Sequence, residues 1–447
     1  MTDFDPTIFK AYDIRGVYPS QLNDQTAYLI GNALALYLKP QAVAIGRDMR
    51  LSSDDLFDAF CRGVTDAGSD VIDLGLVSTD GLYFAVGKYG YDAGVMITAS
   101  HNPKEYNGFK ICKADAVPLS GVEGLNHIAE LVSNGAPVIR PERGAIARRD
   151  ISDDYTNNCL SFADMSALGK FKIVFDAGNG MAGATLPPVL ETLPIEALRM
   201  YFEPDGTFPN HPASPIEAEN RADLINEIRR SAADFGVAFD GDADRMFLVD
   251  KNCRALGGDM VTAMVAQKLL QDHPGETILY NAICSRAVPE LITRLGGTAV
   301  RTPVGHALIK PMMRERNAIF GGEHSGHFYF RDNWFADSGM IAFLVCLELI
   351  SKSGRALDQI VSEIDPYFRS GEINSQVADQ RSVIKRIAEA HGDGKHDRLD
   401  GLTVEYADWW FNLRPSNTEP LLRLNVEANT PGTLKVKTDG LLQLIRK

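Results

Sequence analysis

Close cysteine pairs are missing from this chain. The six cysteines, Cys61, Cys112, Cys159, Cys253, Cys284 and Cys346, are scattered and never form C-x-x-C, so neither a zinc site nor a disulfide framework is indicated. They read as buried or idle thiols, and a reducing cytoplasmic location is expected. Positive charge is also scarce. The 447 residues carry 45 Lys and Arg against 59 Asp and Glu, a formal charge of −14. Nucleic acids and anionic membranes attract basic surfaces, so neither is an expected partner. Long apolar runs are absent too: the richest, Met340 to Ile350, is about half the roughly 20 residues of a membrane span and contains Glu348. Met1 to Asp5 has neither the basic nor the apolar part of a leader. What remains, 45% hydrophobic and 23% charged with Gly and Pro dispersed, is a soluble globular composition. An anionic ligand of such a protein must be met by cations gathered locally.

The chain repeats a pattern three times. A short apolar strand (Val43 to Ile45, Ile173 to Phe175, Ile278 to Tyr280) runs into a loop, and a second apolar strand follows after helical stretches such as Leu56 to Ala67 and Ala222 to Arg230. The second strands, Gly94 to Ile97, Val237 to Phe239 and Ala318 to Phe320, end in unusual polar loops: Thr98 to Pro103, Asp240 to Arg245, and Gly321 to His327. Strands alternating with helices predict doubly wound, parallel α/β units. Ligands bind beyond the carboxyl ends of such strands, so the three loops are predicted to converge on one cleft. Length alone, at roughly 150 residues per domain, suggests about three units. Joints are expected near Pro141 to Ile151, Asp250 to Gly258 and Pro366 to Ser375. Towards the C-terminus, Leu422, Leu424 and Val426 alternate with Arg423, Asn425 and Glu427, which predicts a strand with one buried and one solvated face in an α+β domain.

Asp240, Asp242 and Asp244 place three carboxylates at one strand end, where a divalent cation relieves their repulsion and Mg²⁺ suits a phosphate in the shell. An EF-hand is excluded by Arg245 at its sixth position and Lys251 at its twelfth. A solvated acidic turn is the alternative. Arg245 is placed to orient the carboxylates or touch an anion. Ser100, with His101 behind it and Lys110 further on, is either a turn residue or a phosphoryl carrier; no G-x-S-x-G elbow supports an esterase. Glu323, Ser325 and His327 lie among glycines that permit close approach of a sugar. Arg15 in Tyr12-Asp13-Ile14-Arg15-Gly16, and His306 after Gly305, are weak signals alone. Arg414 to Pro420 is a proline-bracketed loop rich in donors.

Taken in order, Phe9 to Gly16, the serine loop, the acidic loop, the Gly322 to His327 loop and the Arg414 to Pro420 loop resemble the α-D-phosphohexomutase family over nearly the whole chain. The resemblance implies a heart-shaped protein around a central cleft: three related α/β domains (1–150, 151–253, 254–366) and a C-terminal α+β domain (367–447). It implies that Ser100 carries a phosphoryl group and that Asp240, Asp242 and Asp244, with the Ser100 phosphate, bind Mg²⁺. Glu323 and Ser325 would contact sugar hydroxyls, and Arg414, Ser416, Asn417 and Thr418 would clamp the phosphate that is not reacting. Arg15, Lys110, His101, His306, His327 and Arg245 are the candidates for proton transfer and charge stabilisation, Lys110 first.

The implied activity is interconversion of hexose 6-phosphate and hexose 1-phosphate through a hexose 1,6-bisphosphate, by a monomer or weak homo-oligomer. Ser370 to Asn374 and Ala407 to Trp409 lean towards mannose phosphates, with glucose or a bispecific mutase second. Two departures stand out: His324, where relatives often carry Met or Gln, and Asn281-Ala282-Ile283, which lacks a lysine some relatives place there. A metal-dependent sugar phosphatase and a non-catalytic phosphosugar-binding protein are the competing classes.

Overall fold

The computed structural model describes residues 4–135, 137–416 and 421–447, with backbone alone at 122, 123, 306 and 307. The first sheet comprises β1 (Ile14–Val17), β2 (Ala42–Arg47), β3 (Asp70–Leu76), β4 (Ala93–Ile97), β5 (Tyr106–Lys113), β6 (Val117–Pro118) and β7 (Ile146–Arg148), ordered β1-β5-β4-β2-β3-β7 with β6 on β5. The second has β8 (Lys172–Asp176), β9 (Glu196–Met200), β10 (Phe235–Phe239) and β11 (Met246–Asp250), ordered β11-β10-β8-β9. The third has β12 (Thr277–Asn281), β13 (Thr298–Thr302), β14 (Phe320–Gly322), β15 (Phe328–Phe330) and β16 (Ala336–Asp337), ordered β13-β12-β14-β15-β16.

One unit recurs in all three. Three parallel strands (β4-β2-β3, β10-β8-β9, β14-β12-β13) are extended by one antiparallel neighbour, β5, β11 or β15. The sheets are therefore mixed where the strand and helix pattern predicts parallel ones. The reason lies in the loops: 98–105, 240–245 and 323–327 are too short for a crossover of a dozen or more residues, so the chain turns straight back. The central parallel strands β4 and β10 are buried along their whole length because helices cover each side, whereas the parallel edge strands β7, β9 and β13 stay partly or wholly exposed.

The expected helices are found at Ser53–Asp66 and Ala222–Ser231. The strand expected at Ala318 to Phe320 is instead Phe320–Gly322. Two glycines lie inside it because its face is crowded: a Cβ on Gly322 would lie 2.1 Å from Thr262 Oγ1.

The apolar stretch around Met340 is a core helix, Gly339–Ser353, started by Ser338, whose side chain accepts from Ile341 N, and stopped by Gly354 in the left-handed region. Phe343 meets Phe175 of β8 edge-on at 5.2 Å, so the second and third sheets share one core. Glu348 is buried with Lys268 at 3.0 Å and Lys352 at 2.5 Å. Among the described residues no helix is long and apolar enough to cross a membrane. The six cysteines are free thiols, all buried but Cys253.

The fourth sheet is antiparallel: β17 (Phe368–Arg369), β18 (Ile373–Gln376), β19 (Lys395–Asp397), β20 (Leu402–Glu405), β21 (Trp409–Pro415) and β22 (Leu421–Ala428), ordered β17-β22-β21-β20-β19 with β18 on β22. Leu422, Leu424 and Val426 face Val383, Ile387, Leu441 and Ile445 of two helices, as the alternation predicts. The opposite face is not solvated as expected. Asn425 and Glu427 are 7% and 1% exposed, and Glu427 Oε1 accepts from Trp410 Nε1 at 2.7 Å and from Arg286 N at 3.2 Å. At Glu427 that face is covered by Arg286, in the segment following β12.

Candidate active site

The three predicted loops occupy the same place in their sheets, each linking the last parallel strand to its antiparallel neighbour, and the first two touch. Ser100, 3% exposed, adopts φ +51°. Its hydroxyl donates to Asp240 Oδ2 at 2.8 Å, receives Arg245 Nη2 at 3.2 Å and lies 3.2 Å from His101 Nδ1. Arg245 clasps the same carboxylate: Nε and Nη2 reach Asp240 Oδ2 at 2.9 and 2.7 Å, and its backbone N–H donates to Oδ1 at 3.1 Å. Arg245 thus both orients a carboxylate and touches the serine. Its charge, with that of Arg15 adding to it, pushes the exposed His101 ring well below the usual imidazole range, which favours the neutral form.

Asp240, Asp242 and Asp244 are buried, and their ligand atoms lie within 4.8 Å of one another. Burial raises the Asp240 carboxyl, with Asp244 and Asp242 adding to the rise against the pull of Arg245. Lys110, arriving on β5, places Nζ 2.7 Å from Asp242 Oδ2 and 2.5 Å from Asp244 Oδ2. Burial alone would favour the neutral amine. The two carboxylates outweigh it and hold Lys110 as ammonium, while Lys110 lowers Asp242 against its own burial. Two acceptors, Asp242 Oδ1 and Asp244 Oδ1, are buried with no hydrogen-bond partner among the described residues. Three hard oxygen donors, two of them otherwise unsatisfied, fit a divalent cation.

The acidic and glycine-rich loops are tied as well. Arg245 and His327 form a β-bridge, and Met246 N donates to Gly326 O at 3.3 Å. His327 lies 2.9 Å from Ser325 Oγ through Nδ1 and 3.9 Å from Asp244 Oδ1 through Nε2; burial lowers its pKa. Glu323, 2% exposed, takes Tyr329 OH on Oε1 at 2.5 Å, and Gly305 N and Asn281 Nδ2 on Oε2 at 3.1 and 3.4 Å. Asn281, where the missing lysine was noted, therefore orients Glu323. His324 turns away, its Nδ1 3.8 Å from Asp259 Oδ1, lining a cavity of about 650 Å³ with Arg369 and Glu427.

Arg15 bridges the start of the chain to the serine loop, donating to Asn102 Oδ1 and Asp13 Oδ2 at 2.5 Å each. Ser100, His101, Arg15, Lys110, Arg245, the three aspartates, His327, Ser325 and Glu323 thus form one connected set. Arg414 lies in β21, 4% exposed, and donates to Glu372 Oε2 at 2.9 Å; Ser416 N donates to Leu421 O at 2.8 Å. Asn417 and Thr418 lie outside the described residues, as does the His306 side chain, whose backbone opens the helix His306–Arg316.

The sequence reading missed Thr79, whose hydroxyl donates to Asp242 Oδ2 at 2.6 Å and whose N–H donates to Asp242 O at 3.0 Å. Thr79 opens the helix Thr79–Tyr89, and a threonine at a helix start reads as an ordinary cap residue. Lys310 was also missed. Fully buried with Asp337 at 2.6 Å, it lies over the Tyr83 and Tyr329 rings at 4.1 and 5.5 Å.

Comparison with known proteins covers the whole of this arrangement. Family models described as phosphoglucomutase/phosphomannomutase alpha/beta/alpha domains I, II and III match residues 6–138, 153–257 and 257–367, and the C-terminal domain of the same family matches 372–435. A phosphomannomutase of Salmonella typhimurium is 41% identical over 453 residues, covering 99% of each chain. The phosphohexose mutases of Xanthomonas campestris are 40% identical over 442 residues, 98% of this chain and 99% of theirs. The crystal structure of a phosphoglucomutase/phosphomannomutase family protein from Burkholderia thailandensis superposes with a TM-score of 0.91 at 30% identity, over 99% of this chain and 98% of that one. The fold extends, at TM-score 0.62 and 13% identity over 98% and 95% of the chains, to an N-acetylphosphoglucosamine mutase of Aspergillus fumigatus solved with GlcNAc-6P and magnesium. With its three α/β/α domains, its C-terminal domain and its acidic cluster suited to a metal ion, the chain belongs to the phosphoglucomutase/phosphomannomutase family of intramolecular phosphotransferases.

Proposed function

We propose that this chain interconverts hexose 6-phosphate and hexose 1-phosphate, mannose phosphates preferred, through a phosphoserine at Ser100 and a hexose 1,6-bisphosphate. The observation that carries this reading is the Ser100 hydroxyl, 2.8 Å from Asp240 and 3.2 Å from Arg245, at the edge of the three-aspartate cluster. Phosphoryl transfer asks mainly for positioning and charge neutralisation, and both are provided there. Asp240, Asp242 and Asp244 would hold Mg²⁺, which when bound would supply neutralising charge to the transferred group.

In the forward half, the bond from phosphorus to Ser100 Oγ breaks as one forms to a sugar hydroxyl, yielding the 1,6-bisphosphate; in the return half the other phosphate is transferred back to Ser100. Arg245 stabilises charge on the Ser100 oxygen in both halves. Lys110 is the proposed general acid and base: within each half its ammonium protonates the oxygen that leaves, and the resulting amine takes the proton of the hydroxyl attacking in that same half, so Lys110 ends each half as the ammonium. His101, kept neutral 3.2 Å from Ser100 Oγ, is a second acceptor for the serine proton. Arg15 contributes positive charge beside the serine loop, and His306 and His327 are assigned to proton transfer. Glu323 and Ser325 bind sugar hydroxyls, and Arg414, Ser416, Asn417 and Thr418 hold the idle phosphate.

The mannose preference rests on the relatives named phosphomannomutase, and the magnesium on the donor set together with the mutase solved with that ion. A soluble cytoplasmic monomer or weak homo-oligomer belongs to the same reading, with domains at 1–150, 151–253, 254–366 and 367–447. The test is intact mass with peptide mapping of Ser100, alongside an isomerisation assay containing Mg²⁺ and hexose 1,6-bisphosphate. Phosphate on Ser100 with interconversion of mannose phosphates supports it; phosphate release outpacing isomerisation makes the protein a phosphatase, and no phosphate on Ser100 with tight sugar-phosphate binding makes it a binding protein.

A further inference from the structure

Ser100 does not keep its left-handed backbone unaided. Behind the loop lies Arg50, 2% exposed, and every one of the five N–H donors of its guanidinium is engaged. Nη1 donates to Pro103 O at 2.7 Å and Tyr106 O at 2.9 Å; Nη2 donates to Ser100 O at 2.8 Å and Asn102 O at 2.7 Å. Nε points to Asp48 Oδ2 at 3.2 Å. Asp48, fully buried, is fixed in turn by Arg50 N at 3.0 Å and Ser53 Oγ at 2.7 Å.

We propose that Arg50 is a positioning residue for phosphoryl transfer, gripping the serine loop by three backbone carbonyls and the first residue of β5 by a fourth, so that Ser100 Oγ stays aimed at Asp240 and Arg245. The inference rests on the proposed role of Ser100 and adds to it the part that sets the nucleophile's place. Few residues other than glycine hold φ near +51° without support, and the carbonyl grip supplies that support on the side away from the hydroxyl. Only a guanidinium has this reach. A lysine offers three donors from one point and cannot span four carbonyls and a carboxylate.

Arg50 also ties the serine loop to the domain that holds the acidic loop. The Phe208 ring lies 5.2 Å from its guanidinium carbon, and Gly206 packs so closely that a Cβ there would lie 2.7 Å from Arg50 Cα. The alignment of Ser100 with Asp240 is therefore set from behind as well as by their own hydrogen bond.

The experiment measures kcat, KM and the rate at which hexose 1,6-bisphosphate phosphorylates Ser100 in wild type, Arg50→Lys and Asp48→Asn, with circular dichroism confirming that each is folded. Displacing a reacting atom by about 1 Å costs on the order of 100-fold, so Arg50→Lys is expected to lose about 100-fold in kcat and in Ser100 phosphorylation while KM stays within about threefold. Asp48→Asn, which keeps the shape of the anchor and loses its charge, is expected to lose about tenfold in the same two rates. It decides the matter if Arg50→Lys does not fold. A wild type phosphorylated on Ser100, with folded variants whose kcat is within threefold of it or whose loss is confined to KM, overturns this inference alone. A wild type that never carries phosphate on Ser100 overturns the proposed function and this inference with it.

Discussion

The hydrogen bond from Ser100 Oγ to Asp240 Oδ2, 2.8 Å long, joins residues 140 positions apart and locks two equivalent loops of two equivalent sheets together. Each loop follows the last parallel strand of its unit. Repetition of the unit thus brings a nucleophile and a carboxylate cluster to one spot without any long connection.

Replacing Ser100 with alanine should abolish phosphoryl transfer, by roughly 10³-fold or more in kcat, and leave the fold intact. Asp240 retains Arg245 as donor, so the lost hydrogen bond costs about 1 kcal/mol. Isomerase kinetics beside urea unfolding decide it, and a variant with a tenth of wild-type kcat would refute the phosphoserine.

Lys110→Met should destabilise the metal-free protein by about 3 kcal/mol, since it strips the ammonium from buried Asp242 and Asp244. Divalent cations should restore most of that loss and bind more tightly than to wild type, because Lys110 no longer competes for two of the three carboxylates. Urea unfolding in EDTA and in Mg²⁺, with calorimetric titration of the ion, tests both; equal stability in EDTA would be the contrary result.

Asp80 gives a pH signature. Fully buried, it accepts Tyr155 OH at 2.7 Å and Ser338 Oγ at 2.5 Å, as well as Ser78 Oγ. Burial raises its carboxyl from 3.8 to about 6 against the pull of those hydroxyls. The folded chain holds this proton more firmly than the unfolded chain, so the contribution is fully present below about pH 3.8 and is lost as pH rises through about 6. Its size is on the order of 3 kcal/mol. Asp80→Asn should remove that component from the stability profile between pH 4 and 7, measured as the difference from wild type; parallel profiles would refute it.

Arg369 sits where the third domain passes into the fourth, with Asp365 at 2.5 Å, Glu427 at 3.5 Å and Asp259 at 3.6 Å. Arg369→Leu removes the cation shared by three buried carboxylates, although Asp365 keeps Arg254, and should cost about 3 kcal/mol. Limited proteolysis should then release the C-terminal domain sooner. An unchanged digestion course would show that these charges do not secure the joint.

The periodicity of Val43 to Ile45 or Ile173 to Phe175 was enough to locate strands, because a run of apolar residues must be buried wherever it falls. The mixed character of the sheets was not visible in the same way. It depends on which strand neighbours which, and Gly321 and Gly322 read as loop until the packing of Met313 and Ile309 against the first and of Thr262 against the second is known. The polar face of β22 shows the same limit: Asn425 and Glu427 look solvated in sequence, yet both are buried, Glu427 against Arg286 and Trp410.

The sequence by itself determined the residue chemistry: a serine loop, three alternating aspartates and a glycine-rich loop, each at a strand end, in a chain whose net charge of −14 hides the arginines that matter. Tertiary structure decided which atoms face which. Lys110 against Asp242 and Asp244, Thr79 on Asp242, and Arg50 behind Ser100 are contacts between residues 50 to 163 positions apart. No local pattern encodes them, because hydrogen bonds and charge pairing depend on distance in space and on burial, and both arise only when the sheets pack.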